Sequence, residues 1–241
     1  MPYALVLGAS GDIGEACVMR LAAEGWSIYC HFNKNQKKSS DLVKKLTEKY
    51  PKQDFFMIQL DMSEKKVSAT FFEQLFQVDA VIFASGDTVY KLLTDTTVDE
   101  MDALWNCMVK SPIQICQNLQ SKLAKTKKGR IIFIGSVYGL VGSAMEVVYS
   151  TVKGAQQSFV KAYAQEVASL GITVNLVAPG AVATKMNEAW TTEELEDLRI
   201  EIPVGRLAEP EEVAGAVNYL ASDSASYLTG IVLPVTGGWK M

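Results

Sequence analysis

Residues 5–16 read LVLGASGDIGEA: an apolar run, a turn carrying three glycines, and the opening of an amphipathic segment. Gly8, Gly11 and Gly14 are spaced G-x-x-G-x-x-G. Glycine lets such a turn take φ > 0 and lets backbone come close to a ligand. The helix that follows offers free N–H groups and a positive dipole end to a pyrophosphate. The stretch predicts strand, phosphate loop and helix, with Gly8, Ser10, Gly11, Asp12, Ile13 and Gly14 against a dinucleotide. An ordinary tight turn between strand and helix also uses glycine, so the surroundings must decide. Asp12 would repel a pyrophosphate, but an acid in a first helical turn suits the dipole. It is expected to cap the helix and face away from the ligand.

Working outward, short apolar runs at 3–8, 27–32, 54–61, 79–86, 129–136, 171–180 and 230–238 read as strands. They are rich in Val, Ile and aromatics and bounded by Gly, Pro or Asp. Amphipathic stretches at 12–25, 37–49, 64–77, 97–126, 149–169 and 209–222 lie between them. This alternation predicts an α/β fold: one doubly wound parallel sheet of the Rossmann type, about seven strands, with helices on both faces. Residues 1–241 read as one domain. Residues 181–208 are the longest irregular region and are expected to cover the substrate above the sheet's carboxyl edge.

The chain has 241 residues, 49% of them apolar, and a formal net charge of −4. That balance argues against nucleic-acid binding, which needs a basic face. No apolar run reaches the roughly 18 residues of a membrane span, and the N-terminus has no leader pattern, so no membrane partner is expected. Cys17, Cys30, Cys107 and Cys116 show no metal-ligand spacing and fit buried thiols in a reducing, cytoplasmic compartment. No metal site is expected. His31 is the only histidine; with no G-x-S-x-G elbow in the chain it reads as a strand-end residue, which argues against a hydrolase triad.

An NAD site places an acid about 20 residues beyond the glycine loop, at the end of strand two. Here Asn33 and Lys34 stand at that place, with Lys37 and Lys38 following. A ribose 2′-phosphate is welcome there, so the expected cofactor is NADP(H); a solvated basic helix start is the alternative.

The other chemistry-bearing pair is Tyr149 and Lys153, in YSTVK. On a helix these positions share a face one turn apart. An ammonium there favours the phenolate and is expected to lower the phenol below its ordinary value of about 10. Ser136 ends the fifth predicted strand, and the two hydroxyls can meet at the sheet's carboxyl edge.

With these residues in place the chain resembles the short-chain dehydrogenase/reductases over its whole length. The resemblance rests on the glycine loop, Asp61 after strand three, Asn106 on the long central helix, IGS before YSTVK, and APGAVAT after strand six. It implies that Tyr149 is the general acid to a carbonyl oxygen, that Ser136 hydrogen-bonds that oxygen, and that Lys153 binds the nicotinamide ribose. It implies that Asn106 holds a water in a proton relay. Asp61 and Met62 would flank the adenine; Pro179, Gly180, Val182 and Thr184 would line the nicotinamide. Ala84, Ser85 and Gly86 stand, with Phe83, where the family has N-N-A-G, and Leu7 stands where it has Thr. The loss of those asparagines implies different local hydrogen bonding.

The C-terminal run resembles the β-ketoacyl-carrier-protein reductase branch. MEVVYSTVKGAQQSFVKA, EIPVGRLA and the ending GGWKM resemble a subgroup that reduces the aminopentanone carried on a lysine of elongation factor P. That substrate ends in an amine and would suit Glu146, three residues before Tyr149. Tyr138, Met145, Met186 and Trp190 are the further substrate candidates. The rival partner, an acyl carrier protein, is acidic and wants a basic patch; Lys122, Lys125, Lys127, Lys128 and Arg130 are candidates for it. A non-catalytic NADP-binding scaffold is the reading outside enzymology. The resemblance also implies a homodimer or homotetramer, with Ala155, Phe159, Ala162, Tyr163 and Val167 on the helix expected at an interface or facing the core.

Overall fold

The computed structural model describes residues 1–185 and 190–240. Strand β1 (Tyr3–Leu7) sorts the two sides of the sheet by alternation. Leu5 and Leu7 face one core, with Tyr29, Phe83, Ile131 and Phe133; Ala4 and Val6 face the other, with Ile28, Cys30 and Ile132. The first core is covered by α3 (Ala69–Glu73), α5 (Ser111–Ala124) and α7 (Val147–Val167). The second is covered by α1 (Asp12–Ala23), α2 (Gln36–Lys49) and α9 (Pro210–Ala221).

The remaining strands are β2 (Ser27–Phe32), β3 (Phe55–Gln59), β4 (Ala80–Phe83), β5 (Gly129–Ile134), β6 (Ile172–Pro179) and β7 (Val232–Val235). They form a seven-stranded sheet in the order β3-β2-β1-β4-β5-β6-β7, and every pairing is parallel. The expected α/β architecture is therefore present. Consecutive strands step outward from β1 in one direction to β3, then cross to β4 on the other side. This reversal opens a crevice at the carboxyl ends of β1 and β4, the place where open α/β sheets take ligands.

The strands are shorter than the apolar runs. The run at 79–86 yields only Ala80–Phe83, and Ala84, Ser85 and Gly86 are released into the crevice. The stretch at 64–77 yields only α3, begun by Ser68, whose hydroxyl accepts from Phe71 N–H. The stretch at 97–126 is not one α-helix. It divides into α4 (Val98–Trp105), a π-turn at Asn106–Lys110, and α5. Pro112 sits at the start of α5 and has no N–H to return to Met108, which favours a wider turn there. Among the described residues, the α-helices α6 (Tyr138–Val141) and α8 (Thr192–Glu201) were not anticipated, the latter inside 181–208 and opened by a Thr191–Glu194 capping box.

Candidate active site

The glycine loop is held by contacts that admit no side chain. Gly8 has φ +83, and a Cβ there would lie 2.6 Å from Ser85 N, on the far wall of the crevice. A Cβ on Gly14 would lie 2.0 Å from Gly8 O. Gly11 N–H donates to Gly8 O at 2.9 Å. The first turn of α1 is thereby pressed onto the loop, with its N-terminus directed at the crevice. Asp12 is turned aside, as expected. Its carboxylate meets Lys38 Nζ at 3.3 Å and accepts from Lys185 N–H at 2.8 Å. Burial alone would raise this acid, but those donors hold it below the usual carboxylate range. Lys38 also meets Glu15 at 3.0 Å. It is thereby paired with the first turn of α1.

Asn33, Lys34 and Asp61 come together at the carboxyl ends of β2 and β3. The Ser63 hydroxyl, donating at 2.6 Å, does most to hold Asp61 low, helped by Asn33 and the charge of Lys34. Met62 is 3% exposed and belongs to the core, so its side chain does not flank a ligand. It supports Ser85 instead, whose hydroxyl lies 3.2 Å from its sulfur. Phe83, standing where the resemblance has an asparagine, stacks on Phe133 with centroids 4.4 Å apart. Apolar stacking across β4 and β5 thus occupies the place of the missing hydrogen bonds.

A cavity of about 650 Å³ opens over the carboxyl ends of β4, β5 and β6. Ile13, Ala84, Ser85, Gly86, Pro179, Gly180, Val182 and Thr184 line one part of it; Ser136, Tyr149 and Lys153 line its floor. Sequence reasoning had named all of these. Ser136 is held by Tyr138 N–H, which donates to its Oγ at 3.1 Å. Its hydroxyl also hydrogen-bonds the Tyr149 phenol and tends to lower it. Lys153 is 4% exposed, donates to Ile134 O at 2.8 Å, and lies 5.5 Å from the centroid of the Tyr149 ring.

The electrostatics run opposite to the expectation drawn from the Tyr149–Lys153 spacing. Burial pushes the phenol up to about 12, and Glu146, Tyr138 and Asp87 add to that. The same burial brings the ammonium down to about 8. Spacing registered the neighbouring charge but not the desolvation of both partners. The result keeps Tyr149 protonated and makes Lys153 the group that titrates first.

Asn106 has a partner that the sequence did not indicate. Its amide donates to Ser63 O at 3.0 Å, tying the π-turn to the segment after β3, and it is not among the cavity's lining residues. Gln156 on α7 reinforces that turn by donating to Met108 O at 2.7 Å.

Of the substrate candidates, Tyr138, Glu146 and Trp190 line the cavity. Met145 does not. It adopts φ +62 just before α7, and its carbonyl accepts from Lys91 N–H at 2.8 Å. Met186 lies outside the described residues. Thr88, Tyr90, Glu194 and Trp239 line the cavity without having been anticipated. The Thr88 hydroxyl donates to Glu146 at 2.7 Å. Trp239, in the ending GGWKM, donates from its indole to Glu201 at 3.1 Å and lies 5.9 Å from Tyr138. The Lys240 ammonium rests 4.8 Å from the Tyr138 ring centroid and 4.5 Å from that of Trp239.

The basic patch offered for a carrier protein is at the other end of the molecule. Lys125 through Arg130 lead into the amino end of β5, whereas the cavity opens at the carboxyl ends. Lys122 donates to Leu75 O, while Lys128 and Arg130 pair with Asp223. On α7, Tyr163 and Val167 are buried and Phe159 packs against the same core, so these residues face inward; Ala162 is exposed.

The family model described as enoyl-(acyl carrier protein) reductase matches residues 8–240. The oxidoreductase YmfI of Bacillus subtilis is 41% identical over 240 residues, 98% of each chain. The 3-oxoacyl-[acyl-carrier-protein] reductase FabG of Staphylococcus aureus is 31% identical over 242 residues, covering 99% of this chain and 98% of that one. The angucycline C-6 ketoreductase LanV, solved with bound NADP, superposes with a TM-score of 0.92 at 25% identity, over 99% of this chain and 95% of its own.

Proposed function

Because the chain belongs to the short-chain dehydrogenase/reductase family of oxidoreductases, we propose that it reduces a ketone to a secondary alcohol with NADPH. The observation that carries this is the meeting of Ser136, Tyr149 and Lys153 in one cavity that is also lined by Ile13, in the first turn of α1, and by Ala84 and Ser85, against which Gly8 of the glycine loop packs. The loop fits a dinucleotide, since the missing Cβ atoms let Gly8 lie against Ser85 and Gly14 against Gly8, which sets the N-terminus of α1 close behind the loop. Lys34 beside Asn33, with no acid at the end of β2, fits a 2′-phosphate; LanV binds NADP.

When bound, NADPH supplies the hydride that reaches the carbonyl carbon. Tyr149 gives its phenolic proton to the carbonyl oxygen, and the Ser136 hydroxyl donates to that oxygen as charge grows on it. Lys153 stabilises the phenolate that remains. Asn106 acts as a positioning residue, through Ser63 and the π-turn. The alkaline side of the pH profile follows from Lys153, whose charge is present below about 8 and lost above it. The kcat/KM for ketone reduction should be level through neutral pH and fall above about pH 8, while Tyr149 keeps its proton throughout. A profile that stays level to about pH 9.5 would remove Lys153 from this role.

For the substrate, we infer a ketone that also bears an amine, of which the aminopentanone on elongation factor P is the expected instance. Glu146 and Glu194 both line the cavity among Tyr90, Tyr138, Trp190 and Trp239. Carboxylates set among aromatic faces favour an ammonium, and the faces of Tyr138 and Trp239 already hold that of Lys240. Glu146→Gln should lower turnover of amine-bearing ketones about tenfold or more while sparing neutral ones; an equal loss on both would discard the idea. The likeness to FabG makes a carrier-bound 3-oxoacyl group the competing substrate, and incubation with NADPH and each substrate separates the two. Assembly as a homodimer or homotetramer is supported by the exposed Val98, Trp105 and Ile113 of α4 and α5, and light scattering in solution tests it.

A further inference from the structure

His31, the only histidine of the chain, sits in β2 and is 3% exposed. Its Nδ1 lies 2.9 Å from Gly8 N, and its Nε2 lies 2.9 Å from Leu60 O. An amide can only donate and a carbonyl can only accept. One neutral tautomer satisfies both: Nε2 carries the hydrogen and Nδ1 is bare. The ring thus spans from the first glycine of the loop, across β2, to the residue before Asp61.

Gly8 has little freedom of its own. Its carbonyl takes Gly11 N–H and presses on Gly14, and its Cα faces Ser85 across the crevice. The remaining backbone group that sets its height is its N–H, which His31 holds. We propose that His31 is a positioning residue for the dinucleotide: as a neutral acceptor it fixes the Gly8 amide, and as a donor it fixes the end of β3, so that the pyrophosphate and adenosine ends of the site keep a set spacing. This rests on the dinucleotide reading of the glycine loop.

Protonation would remove the acceptor and leave two like-directed N–H groups at 2.9 Å. The surroundings oppose it. Burial brings the imidazole down to about 4, against the pull of Asp61, which follows Leu60 in the chain. Residues 4–11, which pack on the other edge, carry no charged side chain.

With one histidine, ¹⁵N–¹H correlation spectra of histidine-labelled wild-type protein give an unambiguous answer. The expected result is the Nε2–H tautomer with no titration between about pH 8 and pH 5. An Nδ1–H tautomer, or titration near the ordinary value of about 6.5, overturns the proposal. In parallel, His31→Leu should raise the Kd for NADPH about tenfold or more, with His31→Asn, which keeps an acceptor, recovering part of the loss. A folded His31→Leu protein that binds NADPH as wild type does also overturns it. If wild-type protein binds neither NADPH nor NADH, the dinucleotide reading itself fails, whatever the tautomer. Should His31→Leu not fold, the wild-type spectra decide alone.

Discussion

Tyr149→Phe is expected to lower ketone-dependent NADPH oxidation about 10³-fold or more, while NADPH still binds. Among the described residues, the Ser136 hydroxyl and the Lys153 ammonium are the other proton-bearing side chains at the cavity floor. Lys153 already donates to Ile134 O at 2.8 Å. Phenylalanine keeps the ring, and with it the surface that Lys153 faces at 5.5 Å from the centroid, so the floor keeps its shape. Steady-state turnover paired with NADPH fluorescence titration reads both halves of the expectation. Retained turnover would move the proton donor elsewhere; lost binding would mean that Tyr149 holds the site together and that its chemistry is untested by this change. Tyr149 is also the site's protonated reserve: with the phenol pushed up to about 12, no change of buffer within the neutral range mimics the substitution.

Gly14→Ala is the second large effect. The added Cβ would stand 2.0 Å from Gly8 O, 2.7 Å from Gly8 C and 3.1 Å from Ala9 Cα. All three are backbone atoms, so no side chain can rotate out of the way. Either α1 withdraws from the loop or the loop shifts into the crevice, and in both cases the N-terminal amides leave the position a pyrophosphate needs. NADPH affinity should fall about 100-fold or more and thermal stability should fall with it, since overpacking a close contact costs about 1–3 kcal/mol. Gly215→Ala is the matched control. It lies on the exposed face of α9, with nothing within 4 Å of its Cβ, and alanine there should stabilise the helix by about 0.5–1 kcal/mol. Calorimetry and NADPH titration of the two variants test the contrast. A Gly14→Ala protein with unaltered affinity would show that the loop is not the phosphate cradle.

Much of the site was legible because its signals are local. The glycines, the i, i+4 pair and the residues just after strand ends report through short-range geometry, and Ser85, Ser136, Tyr149, Lys153, Pro179 and Thr184 all reach the cavity they were assigned to. Misassigned residues depend on partners far along the chain. Asn106 turns to Ser63, 43 positions away, and Met62 packs into the core beneath Ser85. Lys38 is taken by Asp12, 26 positions before it. Spacing does not show that a neighbouring residue has already claimed a donor. Met145 differs for another reason: it takes a left-handed backbone conformation just before α7, which its nearness to Tyr149 in the chain does not reveal.

The alternation of strands with helices, the parallel sheet and a glycine-rich turn after its first strand were settled by the sequence alone, because period-2 and period-3.6 burial and glycine's missing Cβ act over a few residues. Only the tertiary structure decided the charge states and the walls. Burial reversed the direction in which the Tyr149 phenol moves, and the packing of distant segments set Thr88, Tyr90, Glu194 and Trp239 in one cavity with Glu146. It also joined His31 to Gly8 and Leu60. Desolvation and long-range hydrogen bonds depend on what every other segment removes from water, and no short window of sequence contains that information.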